Sequence, residues 1–161
     1  MKLKLRIVIS LLFLASNFPV FAQLKSYQFE DIADLQKQDL KPVFVFTYTN
    51  WCNYCAAMKI KVFNDSKVVE LLNKHFYFIW LNAEEERKIN FNKQEFNFKP
   101  SGVKNGIHQL AAELATIDEG LTFPSFCILN PANEIIYQKR DFTSAKELAI
   151  ILSKILSVKV N

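Results

Sequence analysis

The sequence predicts one α/β domain in which a central mixed β-sheet carries helices on both faces. Short apolar runs rich in β-prone residues alternate with segments of helical periodicity over most of the chain. Near the end, the order changes to two strands joined by a turn and followed by a helix. The chain has 161 residues, of which 50% are hydrophobic, and this suffices for one core of ordinary size.

The first 22 residues predict a secretory signal peptide. Three basic residues precede the apolar run 7–15, and the small residue Ala22 ends the segment. We expect cleavage after Ala22, which leaves residues 23–161 as a domain in the periplasm or another exported location. An uncleaved membrane anchor is the alternative, but the run is shorter than the ~20 apolar residues that span a bilayer. A lipid anchor is disfavoured because no cysteine lies near the cut.

The charge of the chain disfavours a nucleic-acid partner. The formal net charge is +4, but three of the basic residues lie in the predicted signal peptide. The remainder is close to neutral and has no basic stripe that would bind a phosphate backbone. We therefore expect no nucleic-acid partner and, after cleavage, no stable membrane anchor.

The first elements are a short edge segment and a helix over residues 26–40, where Phe29, Ile32 and Leu35 have helical spacing. Residues 43–49 are apolar and β-prone, which predicts a buried central strand.

A helix is predicted to open at Cys52 and to run to about Lys61. Asp65 or Ser66 then caps a further helix. Residues 76–81 predict a second buried strand.

The middle of the chain predicts smaller elements. Residues 84–86 are three glutamates, which we interpret as a solvated turn. Residues 89–98 alternate between apolar and polar, which indicates a small hairpin. A helix is expected over 107–115, entered past Gly106.

The last third predicts a strand over 126–129, a turn over 130–133 and a returning strand over 134–138. Ser144 and Glu147 have the spacing of a capping box for a final helix. That helix turns four apolar residues inward: Leu148, Ile151, Leu152 and Ile155.

The chemistry points to Cys52 and Cys55, which only two residues separate, whereas Cys127 stands alone. One disulfide between such close residues cannot serve as a structural framework for a fold of this length. A reactive pair therefore explains the spacing better. At a helix N-terminus, the free N–H groups and the helix dipole favour a thiolate. Cys52 would attack a partner disulfide, and Cys55, one turn further on, would resolve the mixed disulfide.

Other uses of these cysteines are weaker. A zinc site needs four ligands, and Cys127, His75 and His108 show no paired spacing. Covalent haem attachment needs a histidine directly after the second cysteine, where the chain has Ala56. A structural disulfide without a redox role remains an alternative. We expect no metal and no organic cofactor.

Trp51, Cys52 and Cys55 follow a buried strand, and Phe123 and Pro124 precede another. Together these features resemble the thioredoxin family, and the resemblance covers about residues 41 to 156. It is closest to exported bacterial thioredoxin-like proteins similar to the periplasmic thioredoxin domain of the thiol–disulfide interchange protein.

Three further features strengthen this resemblance to the exported subgroup. Met58 matches a methionine that follows the second cysteine in that subgroup. Asn82 matches the aspartate or asparagine that ends the next strand there. Residues 91–111 resemble an insertion of that subgroup, which places a small insertion before the third main helix. The resemblance therefore implies a thioredoxin fold.

The resemblance also implies a substrate groove. Pro124 would follow a cis peptide bond and lie against the two cysteines, and the backbone of Phe123 would pair with a substrate chain. A trans proline at a strand start is the alternative. Trp51 and Tyr54 flank the cysteines and would offer apolar contacts to a partner, although Trp51 packing beside the motif is an equal alternative.

Two positions depart from the family pattern. Phe46 stands where many thioredoxins bury an aspartate that helps to deprotonate the second cysteine, and this puts fast substrate reduction in doubt. Asp141 replaces a glycine that borders the substrate groove. Cys127 is expected in the core, and His108 on a helix surface or in the inserted segment.

The sequence therefore predicts a thiol–disulfide oxidoreductase that acts on disulfides or dithiols of exported proteins. The resemblance favours a reductase supplied with electrons by a membrane donor. The alternative is a thioredoxin-fold binding or chaperone-like module without redox turnover, motivated by Phe46 and by the aromatic residues at the motif.

Overall fold

The computed structural model describes residues 23–102, 105–118 and 120–158. The predicted signal peptide and its cleavage site therefore lie outside the described residues. Within those residues, no helix has both the length and the apolar character that crossing a membrane requires.

The central sheet has four strands in the order β10-β9-β1-β2. Strands β1 (Val43–Tyr48) and β2 (Tyr77–Asn82) are parallel, and β9 (Ser125–Leu129) and β10 (Ile135–Arg140) complete the sheet in antiparallel pairings. The predicted mixed sheet is thus confirmed. Strand β1 lies at its centre, which explains why the run is apolar on both faces.

In the described part of the chain, five helices cover the sheet. They are α1 (Ile32–Gln38, after a 3-10 turn at Phe29–Asp31), α2 (Asn53–Lys61), α3 (Ser66–His75), α4 (Gln109–Ala115) and α5 (Ala145–Ser157).

The alternation of side chains along β1 assigns the helices to the two faces of the sheet. Val43 and Val45 pack with residues of α1 and α4 on one face. Phe44 and Phe46 pack with residues of α2, α3 and α5 on the other. Helices on both faces, as predicted, follow from this alternation.

Side-chain caps predicted from the sequence fix the starts of α3 and α5. The Asp65 carboxylate accepts hydrogen bonds from the N–H groups of Lys67 and Val68, which confirms it as the cap of α3. Ser144 caps α5 by accepting from the Glu147 N–H. The Glu147 carboxylate pairs with Lys139 at 3.3 Å instead of returning to Ser144, so only half of the predicted capping box forms.

The segment before α1 lies along the edge strand β2, as predicted. The Tyr27 N–H donates to the Phe78 carbonyl of β2 at 2.9 Å, but no strand forms there. One hydrogen bond and the packing of the Tyr27 ring on Tyr77 hold this segment against the sheet.

The segment between β2 and α4 contains two small hairpins. Strands β3 (Ile89–Phe91) and β4 (Gln94–Phe96) form the first, which confirms the predicted hairpin in narrower bounds. Strands β5 (Phe98–Pro100) and β6 (Gly106–His108) form the second, which the sequence did not indicate.

The second hairpin corrects the predicted start of α4. Residues 106–108 pair with β5, so the helix begins at Gln109 rather than at Ile107. The Phe98 ring lies directly on Gly106, where no Cβ would fit, and this close approach needs a glycine. A further two-stranded hairpin, β7 (Thr116–Ile117) with β8 (Gly120–Leu121), follows α4.

Candidate active site

The two cysteines lie where β1 ends and α2 begins. Cys52 is the N-cap residue of α2 in extended conformation, and Cys55 lies in the first turn. A disulfide joins them, with their Cα atoms 5.2 Å apart. The spacing of two residues thus brings both sulfurs onto one turn, as the sequence predicted.

Cys52 lies at the N-terminus of α2, where free backbone N–H groups and the positive end of the helix dipole are located. The Cys55 N–H donates to the Cys52 Sγ at 3.1 Å, so the sulfur occupies the position of a capping oxygen. Such a position favours a thiolate once the pair is reduced. Both cysteines are buried in the disulfide form, but Cys52 is 7% exposed and Cys55 only 1%, so Cys52 is the more accessible of the two residues.

Aromatic side chains surround this opening and form what we call the aromatic rim: Trp51, Tyr54, Phe123 and Phe142. Trp51 and Tyr54 are each 68% exposed. The Trp51 ring lies 6.3 Å from that of Phe123, and the Tyr54 ring lies 6.5 Å from that of Phe142. Phe142 was not identified from the sequence, because only the fold brings the segment between β10 and α5 beside Tyr54 of α2.

Trp51 is oriented by a hydrogen bond. Its indole Nε1–H donates to Glu84 Oε1 at 2.9 Å. Glu84 is half-buried, and its N–H donates to the Asn82 side chain at 3.1 Å. The interpretation of residues 84–86 as merely a solvated turn is therefore wrong for Glu84.

Pro124 is buried, and the peptide bond between Phe123 and Pro124 is cis. The Pro124 carbonyl accepts a hydrogen bond from the Asp141 N–H at 2.9 Å. Asp141 has a φ of 75°, in the left-handed region that glycine adopts most easily. This backbone conformation agrees with the expectation that Asp141 replaces a glycine.

The surroundings of Cys55 are apolar. Phe46 is fully buried in the cluster that contains both cysteines and Met58, and its ring contacts those of Phe63 and Trp80. Within the described part of the chain, no acidic side chain is among the buried residues. A charge lies at the edge of these rings, where Lys59 Nζ is 3.0 Å from the Tyr48 ring centroid, and burial lowers the pKa of Lys59.

Cys127 lies on the opposite side of the sheet from the two paired cysteines, and His108 lies in the inserted segment. Cys127 is buried in β9 with the apolar cluster of α1 and α4, as predicted, and burial raises the pKa of its thiol to about 12. His108 is fully buried and ends strand β6 of the inserted segment, so that expected place is confirmed and the alternative on a helix surface is wrong. Its Nδ1 accepts from the Leu110 N–H at 3.2 Å and caps α4, and burial lowers the pKa of His108.

Among the residues that the structure describes, no three His, Cys, Asp or Glu side chains gather as metal ligands would. The structure gives His108 the role of a helix cap and Cys127 a place in the hydrophobic core.

Comparisons with known proteins agree with this geometry. A family model described as a thioredoxin-like domain matches residues 28–156. No curated protein sequence matches the chain.

Solved structures resemble the fold at low sequence identity. The oxidoreductase DsbH has a TM-score of 0.58 and 19% identity, over 91% of this chain and 92% of that one. A thioredoxin from Thermus thermophilus has a TM-score of 0.59 and 19% identity, over 84% and 88%. The C-terminal domain of DsbD from Neisseria meningitidis has a TM-score of 0.52 and 12% identity, over 78% and 90%.

Proposed function

The chain belongs to the family of thioredoxin-like domains, and from that premise we propose that it is a reductase of disulfides in exported proteins. Family membership and the Cys52–Cys55 disulfide at a helix N-terminus support a thiol–disulfide oxidoreductase in general. The direction of electron flow, the exported substrates and the membrane electron donor are the parts that we add.

The difference in exposure between the two sulfurs carries the proposal. In the reduced enzyme, the Cys52 thiolate attacks one sulfur of a substrate disulfide. The substrate's other sulfur leaves as a thiolate and takes up a proton, and Cys52 remains in a mixed disulfide. The Cys55 thiol then loses its proton and attacks Cys52 Sγ, and the second substrate sulfur leaves as a thiolate that takes up a proton. Two electrons have passed to the substrate, and Cys52 and Cys55 are joined.

The aromatic rim supports a polypeptide as substrate. Trp51 and Tyr54 lie on either side of Cys52 in the sequence and offer exposed rings to a bound chain. Phe123, next to Pro124, would pair its backbone with the substrate in the manner that the family resemblance implies. The half-buried ring of Phe123 already contacts Trp51.

The low local polarity supports the reductase direction of the equilibrium, while Phe46 in place of a buried acid predicts that the reduction is slow. A reductant has a Cys52 thiol that is only moderately acidic, since a strongly stabilised thiolate makes a pair oxidising. The capping bond from the Cys55 N–H favours the thiolate, but the cluster beneath the site is made of Phe46, Met58 and other apolar side chains. A buried apolar environment raises a thiol pKa.

Location outside the cytosol rests on the sequence of the first 22 residues. Regeneration requires a dithiol donor, and we assign that part to a membrane protein by family resemblance.

The decisive experiment measures the reduction potential of the Cys52–Cys55 pair by equilibration in glutathione buffers and thiol trapping. A potential near ~−270 mV supports a reductase, and one near ~−120 mV overturns the direction in favour of an oxidant.

The same titration tests the second candidate, a binding or chaperone-like module, which the exposed rings of Trp51 and Tyr54 favour. A pair that does not exchange reversibly with glutathione supports that module. The chaperone-like function also requires that a variant with both cysteines replaced by serine still protects unfolded proteins from aggregation.

A further inference from the structure

The last helix carries an exposed stripe on the side that faces away from the core. Leu148 and Leu152 are fully buried, whereas Ile150 is 48% exposed and Val158, just past the helix end, is 68% exposed. Residues three, four and seven apart lie on one face of a helix, so Glu147, Ile150 and Lys154 form a continuous stripe with Val158. We call this set the α5 stripe.

Ile150 stands as a ridge between two open grooves. One groove, of about 610 Å³, is lined by Ile136 and Tyr137 of β10 and by apolar residues of α5. The other, of about 680 Å³, lies between the start of α3 and α5. A ridge flanked by grooves is the shape that helices use to pack against one another.

The charges of the α5 stripe have opposite signs at its two ends. Glu147 and Lys154 are seven residues apart, and the midpoint between them falls between Ile150 and Ile151. If a second α5 lies antiparallel about a two-fold axis at this midpoint, Glu147 of each copy faces Lys154 of the other. A parallel arrangement would instead oppose like charges. The charge pattern is therefore self-complementary, as a two-fold interface requires.

The two ends of the stripe are available for such contacts. Lys154 has no ion-pair partner among residues 23–102, 105–118 and 120–158. Glu147 is 49% exposed despite its pair with Lys139, so a second cation can approach its carboxylate. Antiparallel helices also oppose their dipoles favourably.

The neighbouring strand edge does not offer an equivalent contact. Strand β10 is the edge of the central sheet, but it ends in Lys139 and Arg140. Charged residues on an edge strand oppose pairing with another strand. Contact through the helix therefore fits this surface better than extension of the sheet.

From these observations we propose that the α5 stripe binds a second copy of this chain, in a two-fold dimer whose α5 helices lie antiparallel. Ile150 of each copy enters a groove beside α5 of the other, and two Glu147–Lys154 pairs close the rim.

The experiment uses light scattering after gel filtration, at increasing concentrations of the wild-type protein and four variants. The wild type is expected to approach twice its monomer mass. Glu147→Lys and Lys154→Glu each oppose like charges twice in a homodimer, and each is expected to raise the dissociation constant at least about tenfold. An equimolar mixture of these two variants restores every opposite-charge pair and is expected to dimerise again.

Lys61→Glu is the matched control for Lys154→Glu, because it makes the same change from a positive to a negative charge on the exposed surface of α2. It is expected to dimerise like the wild type. Thermal unfolding of each variant checks that the fold is intact, and Ile150→Asp provides a second disruption that needs no charge pair.

A wild-type protein that stays monomeric at every concentration overturns the proposal. So does a dimer that both Ile150→Asp and the two charge reversals leave unchanged, or a mixture that associates no better than each variant alone.

Discussion

At the residue scale, the two cysteines differ in access although they share one turn of helix. Both lie in the core cluster with Phe46, but Cys52, which caps α2, is 7% exposed and Cys55 only 1%. In the proposed mechanism, the more accessible Cys52 therefore meets the substrate disulfide, and the more deeply buried Cys55 attacks afterwards. The order of the two steps follows from this difference.

Serine substitutions should separate these roles. Cys55→Ser is expected to accumulate a mixed disulfide between Cys52 and a protein substrate, because the resolving sulfur is gone. Cys52→Ser is expected to form none. Non-reducing electrophoresis and mass spectrometry of the adduct measure the difference.

Cys127 is the internal control for this measurement. Its thiol, with a pKa of about 12, stays protonated and buried and should remain unlabelled by alkylating agents until the protein is unfolded. Adducts on Cys127, or equal trapping by both serine variants, would contradict the assignment.

Glu84 is a positioning residue for the aromatic rim. Its carboxylate accepts from the Trp51 indole at 2.9 Å, so Glu84→Ala leaves that donor to water. We expect a shift of one of the two indole N–H resonances, of Trp51 but not of Trp80, and a several-fold loss of kcat/KM for a protein disulfide. The unfolding free energy should change by no more than about 0.5 kcal/mol, since the pair is exposed.

Glu84→Gln keeps an oxygen that can accept the indole hydrogen bond and serves as the matched variant. It is expected to retain the wild-type position of the Trp51 resonance and most of the activity. Equal losses in both variants would indicate that Glu84 acts through its charge rather than by orienting Trp51.

At the element scale, the inserted segment is joined to the core through His108. The His108 N–H donates to the Ala83 carbonyl at 2.8 Å, and its ring caps α4. Because Nδ1 accepts the Leu110 N–H, protonation at this atom would break the cap and bury a charge. Burial accordingly lowers the pKa of His108.

This lowered pKa predicts a loss of stability in acid. The unfolded chain binds a proton at His108 near its ordinary pKa of 6.5, before the folded chain does. The stability is therefore fully present above pH 6.5 and declines as the pH falls towards the lower, folded pKa. Urea unfolding from pH 7.5 to pH 5 should record this decline.

His108→Asn keeps a capping side chain but has no proton to gain. Its unfolding free energy should depend less on pH than that of the wild type over this range, with the exposed carboxylates and His75 common to both. Parallel pH profiles for the two proteins would contradict the role of His108.

At the scale of the whole molecule, redox state and stability are linked. If the disulfide form of the folded protein is more stable towards unfolding than the dithiol form, folding lowers the reduction potential of the pair. The folded pair then gives up electrons more readily than the same pair in the unfolded chain. The reductase proposal therefore predicts that the oxidised protein unfolds at a higher urea concentration than the reduced protein. Each ~30 mV by which folding lowers the potential corresponds to about 1.4 kcal/mol.

The comparison is made by urea unfolding with and without an excess of reductant, and the double serine variant controls for effects of the reductant itself. That variant should unfold identically in both conditions. A reduced protein more stable than the oxidised one would indicate an oxidant.

The sequence alone determined the sheet, most helices and the cysteine pair, because these depend on local periodicity and on short spacing. Strand β1 is a continuous apolar run, and Cys52 and Cys55 are neighbours on one turn whatever surrounds them. The cap at Asp65 is equally local.

Tertiary structure decided what depends on contacts between distant segments. Residues 106–108 became a strand because Phe98 and its neighbours pair with them, which no local helical pattern reveals. Glu84 reaches Trp51 across 33 positions, and the Phe142 ring, from the segment before α5, lies beside that of Tyr54 in α2. His108 is buried because the inserted segment folds over it, so its pKa and its role as a cap follow from packing rather than from its neighbours in the chain.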